Sequence, residues 1–438
     1  MKKQIKVLMV PSDLQGVGHF RNIWAAQSIQ KHFAEEIKVD INYQVNTDNI
    51  DYLSQYDIIH FHRQLGPFEK FGELSKKLKE KNVTVIMDID DFWEPPVSHP
   101  LYEIVKNENL TEKIKNNIKL SEYITTTTET FKTHIQKLNP NVFVIPNALD
   151  MSNKMWKDDE TVPKTDKCRI AWIGGSSHLY DLELLKNSIN KLNSDISLKD
   201  KYQIVLCGFD TRGTITQIMS NGQQVPRKIR PEETIWLKFE QIFTSNYELL
   251  KDNADYVKWL KKAKKKGYEE DYNKNYLRRW TLPLTQYGKH YNYCDVCLAP
   301  LQEKEVYKEV VDPKDKNKRY KTLIENPVKG TVKTVQHYFN EVKSELKIIE
   351  TGMKKKVLIA QNFGIYKELL KDGVTGLLVS DNKKDWYKAI KKVILNKDLR
   401  EELANNLHNF VKNKYDINNV TKQRVELYKE LSKKKVKH

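Results

Sequence analysis

Lys343, Lys347 and Glu350 fall at i, i+4 and i+7, a spacing that places all three on one helical face. Lysines there can neutralise phosphate charge, and the carboxylate can accept from paired ribose or sugar hydroxyls; an ion-laced surface helix fits the same spacing. Ser344 lies in the same stretch. Earlier, Trp172-Ile173-Gly174-Gly175-Ser176-Ser177-His178, with Asp181 close behind, follows a strand-like run. Paired glycines expose backbone donors, and Ser176, Ser177 and His178 add side-chain donors, an arrangement suited to a pyrophosphate or to a tight turn. Near the start, Gly16-Val17-Gly18-His19-Phe20-Arg21 sits between a strand and a helix. Its small residues let a backbone approach a phosphate or carboxylate, although Arg21 occupies the third glycine position of a full dinucleotide fingerprint.

Two further clusters stand at strand ends, where open α/β sheets bind their ligands. His60 and His62 flank Phe61, but no acid in the same motif completes a metal site. Asp88, Asp90 and Asp91 can hold Mg²⁺, hydrogen-bond a sugar hydroxyl or cap the next helix. No metal site is predicted. Cys294 and Cys297 lie in a strand-like stretch whose three-residue offset points them to opposite faces, so they read as core thiols along with Cys168 and Cys207.

Positioning these groups requires alternating strands and helices. Short apolar runs at 5–10, 37–43, 58–61, 83–87, 124–126 and 142–145 alternate with amphipathic stretches such as 22–33 and 71–79, a pattern of parallel βαβ units. The polar stretch 155–167, with Pro163, reads as a linker. A second series follows at 170–173, 203–207, 296–298, 357–360 and 376–379, with helices at 182–192, 384–411 and 419–432. Two segments break the pattern: 209–290, which reads as largely helical, and 302–339, interrupted by Pro313 and Pro327, which reads as a small hairpin or loop. The organisation expected is a first domain over 1–160, a second over 161–410 carrying both inserts, and 411–438 returning to the first.

At 438 residues two cores are the default, and 39% apolar content in dispersed runs argues for globular folding. No run nears the eighteen or so apolar residues of a membrane span, so a cytoplasmic protein is expected, peripheral to the inner membrane surface at most, or in the host cytoplasm if phage-encoded. Net charge is +17, with clusters at Lys261–Lys266, at Arg278 and Arg279, and at Lys433–Lys437. That field attracts nucleotide diphosphates, acidic lipid surfaces, acidic glycans or nucleic acid, and no groove-reading motif selects the last.

Taken in order, several of these motifs resemble the retaining glycosyltransferases of family four, which have the GT-B fold, and most closely a bacterial and phage branch. The resemblance rests on Phe339, Asn340, Lys343, Ser344, Lys347 and Glu350, on Tyr291 to Leu301, on Asp372-Gly373 with Gly376 to Val379, on Asp88 to Asp91 and on Val144 to Asn147. It implies two Rossmann-like α/β domains facing across a cleft, a nucleoside-diphosphate-sugar donor as substrate, and no permanently bound cofactor. By position, it implies that Glu350 holds the donor ribose and that Gly174 to His178 grip the diphosphate. Gly16, Gly18 and His19 then form the loop that closes over both substrates, Asp90 and Asp91 lie near the transferred sugar, and the last helix crosses back. Lys343 stands where the common pattern has a glutamate, and His178 where it has a basic pair. The partners implied are a glycan or lipid-linked acceptor, with hydroxymethylated DNA as an alternative; a catalytically inactive binding module is the reading from another class.

Overall fold

The computed structural model describes residues 4–210, 212–219, 223–230, 233–245, 271–273, 275–311, 319–323, 333–336, 338–380 and 383–435. Lys261 to Lys266, Pro313, Pro327 and Lys437 lie outside them. Six parallel strands build the first sheet: β1 (Ile5–Val10), β2 (Ile37–Ile41), β3 (Ile58–His62), β4 (Thr84–Ile89), β5 (Tyr123–Thr126) and β6 (Val142–Val144), in the order β2-β1-β3-β4-β5-β6. The period of two decides what each face buries. Leu8 and Val10 of β1 join Phe71, Leu78 and Phe131, while Val7 and Met9 face Ala26 and Ile29 of helix α1 (Trp24–His32).

The second sheet contains β7 (Cys168–Ile173) and β8 (Tyr202–Phe209). After a separate hairpin of β9 (Thr214–Ile218) and β10 (Gln224–Lys228), helix α2 (Trp236–Thr244) leads to β11 (Asp271–Asn273) and β12 (Tyr276–Trp280). Then come β13 (Val296–Ala299), an excursion of β14 (Lys304–Val311), β15 (Arg319–Leu323) and β16 (Lys333–Gln336), helix α3 (Leu346–Met353), β17 (Val357–Gln361) and β18 (Leu377–Val379). Sheet order is β11-β12-β8-β7-β13-β17-β18, parallel except at β11. Trp236, Ile189 and Trp386 cover one face, and Ile348, Ile349 and Leu407 the other. Helix α4 (Ile417–Lys435) packs Val420, Leu427, Tyr428 and Leu431 against the first sheet. Among the described residues, no helix is long and apolar enough to cross a membrane.

Six local expectations are corrected. The described part of 209–290 is not largely helical: besides α2 and the start of a 3-10 segment it holds a hairpin and β12, which joins the main sheet beside β8, while 246–270 lie outside the described residues. Arg278 and Arg279 hid that strand, and Arg278 is no surface charge. It is fully buried, with Nε 2.6 Å from Glu240 Oε1, and Tyr276 donates to the same oxygen at 2.6 Å. Residues 302–339 hold a three-stranded antiparallel sheet, β15-β14-β16, rather than one hairpin or a loop. Met155 and Trp156 are core, not linker; Trp156 packs on Tyr287 and Tyr291.

Cys294 precedes β13 instead of lying in it, so it and Cys297 face the same core rather than opposite faces. All four cysteines are buried and unbridged. Finally, the 16–21 segment is no open loop. Asp13 Oδ1 accepts from the Gln15 and Gly18 N–H groups at 2.8 and 3.1 Å, so the helix begins at Gly16, passes through a π turn at His19–Ile23 and continues as α1.

Candidate active site

The two sheets meet with their carboxyl ends facing a cleft of about 410 Å³. The second sheet contributes Gly174 and His178 after β7, Gly208 near the end of β8, Thr281 and Leu282 after β12, and Lys343, Ser344, Lys347 and Glu350 around α3. The first contributes Asp90, Asp91 and Val17. A larger groove of about 610 Å³ between β6 and α4 is lined by lysines, glutamates and the apolar side chains of β6, and contains none of the residues assigned above to the donor or to the transferred sugar. The cleft is therefore the candidate, on chemistry rather than size.

Lys343, Lys347 and Glu350 converge there, though not along one helix. The chain breaks after the helix Tyr338–Glu341, and residues 342–345 form a turn before α3. The break places the Lys343 ammonium 3.4 Å from Asp91 Oδ1, across the cleft. It also buries Glu345, whose Oε1 accepts from the Asn147 N–H at 2.6 Å. Burial pushes the Glu345 carboxyl up to about 7, against the partly offsetting hydrogen bonds and the Arg21 charge.

The sign of the resulting pH dependence follows from an unfolded value near 4.5. The native chain keeps a proton that the unfolded chain loses between pH 4.5 and about 7, so this group's stabilising contribution falls as pH rises through that window. Glu345→Gln is expected to gain roughly 2–3 kcal/mol over the parent on going from pH 5 to pH 8. Denaturant unfolding of both at the two pH values checks it, and a constant difference would contradict the assignment.

Glu350 is buried at the floor. Tyr291 donates to its Oε2 at 2.7 Å and Tyr287 to its Oε1, which leaves lone pairs on both oxygens for a ligand. Both phenols are held well above their usual pKa, by burial first and then by the Glu350 charge. Tyr287, Tyr291 and His290 lie on the 3-10 segment Leu284–Tyr293, anchored where Gly288 packs on Trp156. The resemblance quoted Tyr291 without a role, and Tyr287 and His290 carried no sequence signal beyond their three-residue spacing.

At the opposite end His178 Nδ1 lies 2.9 Å from Asp181 Oδ2, while Asp181 Oδ1 accepts from the Gln302 N–H at 2.8 Å and from Asn340 Nδ2 at 3.0 Å. The buried Asp181 thus fixes the His178 ring and ties it to β13 and to the Phe339-Asn340 motif. Gly174 is required by close packing, because a Cβ there would sit 2.6 Å from the Trp172 ring; at Gly175 the same atom would meet open space. Ser176 and Ser177 form the short turn before His178, and Ser177 lines a small side cavity with His99 and Lys343.

In the first domain Arg21 crosses beneath the cleft to a doubly hydrogen-bonded pair with Asp88, at 2.9 and 2.8 Å, and reaches Asn147 Oδ1 at 3.2 Å. His62 bridges Ser12 Oγ and Asp90 Oδ1 at 2.8 Å each, and Arg63 approaches Asp90 at 3.2 Å and Asp91 at 3.4 Å. Burial would raise the Asp90 carboxyl, but the His62 and Arg63 charges outweigh it and hold the group far below the ordinary range. His60 is tied to Thr125 and Tyr428. Among the described residues, no three His, Cys, Asp or Glu side chains are grouped to hold a metal ion.

Gly16, Gly18 and His19 do not line the cleft; only Val17 of that segment does. A Cβ on Gly18 would lie 1.8 Å from the Asp13 carbonyl oxygen, so that glycine serves helix entry, and His19 Nδ1 lies 2.8 Å from the Gln15 carbonyl oxygen.

No family model matches the chain, and no curated protein does. Solved structures do. The sucrose-phosphate synthase of Thermosynechococcus elongatus aligns over 98% of this chain and 99% of its own, at 11% identity and a TM-score of 0.57. Anabaena HepE in complex with UDP and glucose aligns over 98% and 100%, at 12% and 0.53. A Listeria monocytogenes protein described as a UDP-N-acetylglucosamine 2-epimerase aligns over 97% and 95%, at 8% and 0.51. At such identities the likeness concerns architecture alone, and with two parallel Rossmann-like sheets facing one cleft, the chain has the GT-B fold.

Proposed function

We propose that the chain is a glycosyltransferase that moves a sugar from a nucleoside-diphosphate-sugar to a hydroxyl acceptor. The observation that carries this is convergence: Gly174, His178, Lys343, Lys347 and Glu350 from one sheet meet Asp90 and Asp91 from the other in a single cleft. Lys343, Lys347 and the His178 loop supply the cationic end that a departing diphosphate needs, and the open lone pairs of Glu350 suit the ribose diol. HepE, of the same fold, holds UDP and glucose. The acceptor is a surface or lipid-linked glycan, and transfer proceeds with retention. Support for retention comes from Asp90 and Asp91, both already engaged: Asp90 by the His62 ring and the Arg63 guanidinium, and Asp91 by Arg63 and Lys343. Neither is a free base of the kind that direct inversion at the anomeric carbon requires.

Fold alone does not choose this chemistry, since a protein described as an epimerase shares it. The deciding experiment incubates the full chain with UDP-, GDP- and ADP-sugars, with and without glycan acceptors or hydroxymethylated DNA. Released nucleoside diphosphate and product anomeric configuration are the readouts. Acceptor-stimulated release from one donor, with the anomeric configuration kept, is expected. Isomerised nucleotide sugar without release would replace the proposal by an epimerase, and stimulation by the DNA alone would replace the acceptor.

A further inference from the structure

His290 is only 3% exposed, yet it lines the cleft alongside Glu350, Thr281 and Leu282. Among the described residues neither ring nitrogen has a hydrogen-bond partner; Nδ1 is the one sealed from solvent, which leaves Nε2 as the atom that a ligand can reach. A buried polar group without a partner is costly, and leucine or phenylalanine would fill this position without that cost. Packing therefore does not explain the imidazole, whereas a ligand that completes its hydrogen bonding does. Burial, then the Arg279 and Lys347 charges, pushes the ring down to about 3, so it is neutral at ordinary pH. With Nδ1 uncommitted, no internal contact fixes the tautomer, and Nε2 can donate or accept.

Its place in the fold narrows the ligand. His178, Lys343 and the Gly174 turn gather where β7 and β13 end, toward the first domain. Thr281 and Leu282, just after β12, form a second wall, with Gly208 of β8 packed between them and the Gly174 turn, and neither side chain is charged. A neutral hydrogen-bonding ring near the second wall suits an uncharged polar group.

We propose that His290 hydrogen-bonds the nucleoside half of the donor and sets the choice among nucleotides; this rests on the nucleotide-sugar reading above. The contact is to a base edge or to a ribose hydroxyl. Isothermal titration of the full chain with UDP, GDP, ADP, CDP, the 2′-deoxy form of the tightest binder and inorganic pyrophosphate tests it, in the unaltered chain and in His290→Phe and His290→Asn. The tightest nucleotide is expected to lose about tenfold or more in His290→Phe, narrowing its lead over the others, while pyrophosphate changes less than about twofold. His290→Asn, which retains a hydrogen-bonding group, keeps part of the lead. If the 2′-deoxy form is already weak and insensitive to the substitution, the ribose is the contact; if it behaves like the parent nucleotide, the base is. An unchanged ranking in whichever variants unfold at the parent's temperature overturns the assignment of His290 alone. Failure of the unaltered chain to bind any nucleotide overturns the donor reading and this inference with it.

Discussion

Arg21→Met is expected to cost about 3–5 kcal/mol of unfolding free energy, because it strands the Asp88 carboxylate in the interior. Both side chains are essentially inaccessible, at 1% and 0% exposure, and two of Asp88's hydrogen bonds come from the one guanidinium. Burial opposes the Asp88 charge, and the Arg21 charge and hydrogen bonds reverse that, holding the carboxyl well below its usual range. After substitution the Thr125 hydroxyl, at 2.6 Å, remains but brings no compensating charge. Denaturant unfolding followed by circular dichroism measures the loss. Arg21→Met combined with Asp88→Leu should recover much of it, since the penalty belongs to the unpaired charge rather than to missing attraction. A loss below about 1 kcal/mol for the single variant would show that water reaches Asp88.

The second large effect is at Glu350. Alanine removes the acceptor for two buried phenols as well as the group assigned to the donor ribose, so kcat/KM for the donor should fall by about a hundredfold or more. Glutamine keeps the shape and can accept from one tyrosine, but it turns an N–H₂ toward the other, and a fall nearer tenfold is expected. Because the residue positions the donor in ground and transition states alike, most of the change should appear in KM. Steady-state release of nucleoside diphosphate against donor concentration separates the two constants. Glu350→Ala within about threefold of the parent would remove Glu350 from the donor site.

What was legible in the chain follows the locality of the physics. Strands buried on both faces of a parallel sheet carry unbroken apolar runs, so β1 (Val7 to Val10), β4 (Val85 to Met87), β8 (Ile204 to Cys207) and β17 (Val357 to Ala360) announce themselves. β12 does not, because Arg278 is neutralised by Glu240, nearly forty residues earlier, and no local pattern records that pairing. The site divides the same way. Asp90, Asp91, Gly174 and His178 stand just after strands, where the fold rule alone points. Lys343, Lys347 and Glu350 read as one face of a single helix, but meet through a turn, the same turn that sets Glu345 against the Asn147 N–H. Tyr287 and His290 were out of reach: their value depends on where a 3-10 segment runs once Gly288 has docked on Trp156. Gly18 looked like a ligand loop because close packing against Asp13 and close approach to a phosphate select the same residue.

The return of α4 also constrains how the protein is made. Val7, Met9, Ala26 and Ile29 are covered by a helix that the ribosome adds roughly 420 residues after β1. At about 5–20 residues per second, that face of the nascent first domain stays open to water for about 20–80 s. The amino-terminal half therefore leaves the ribosome as an unfinished core, and a helix made about 400 residues later closes it.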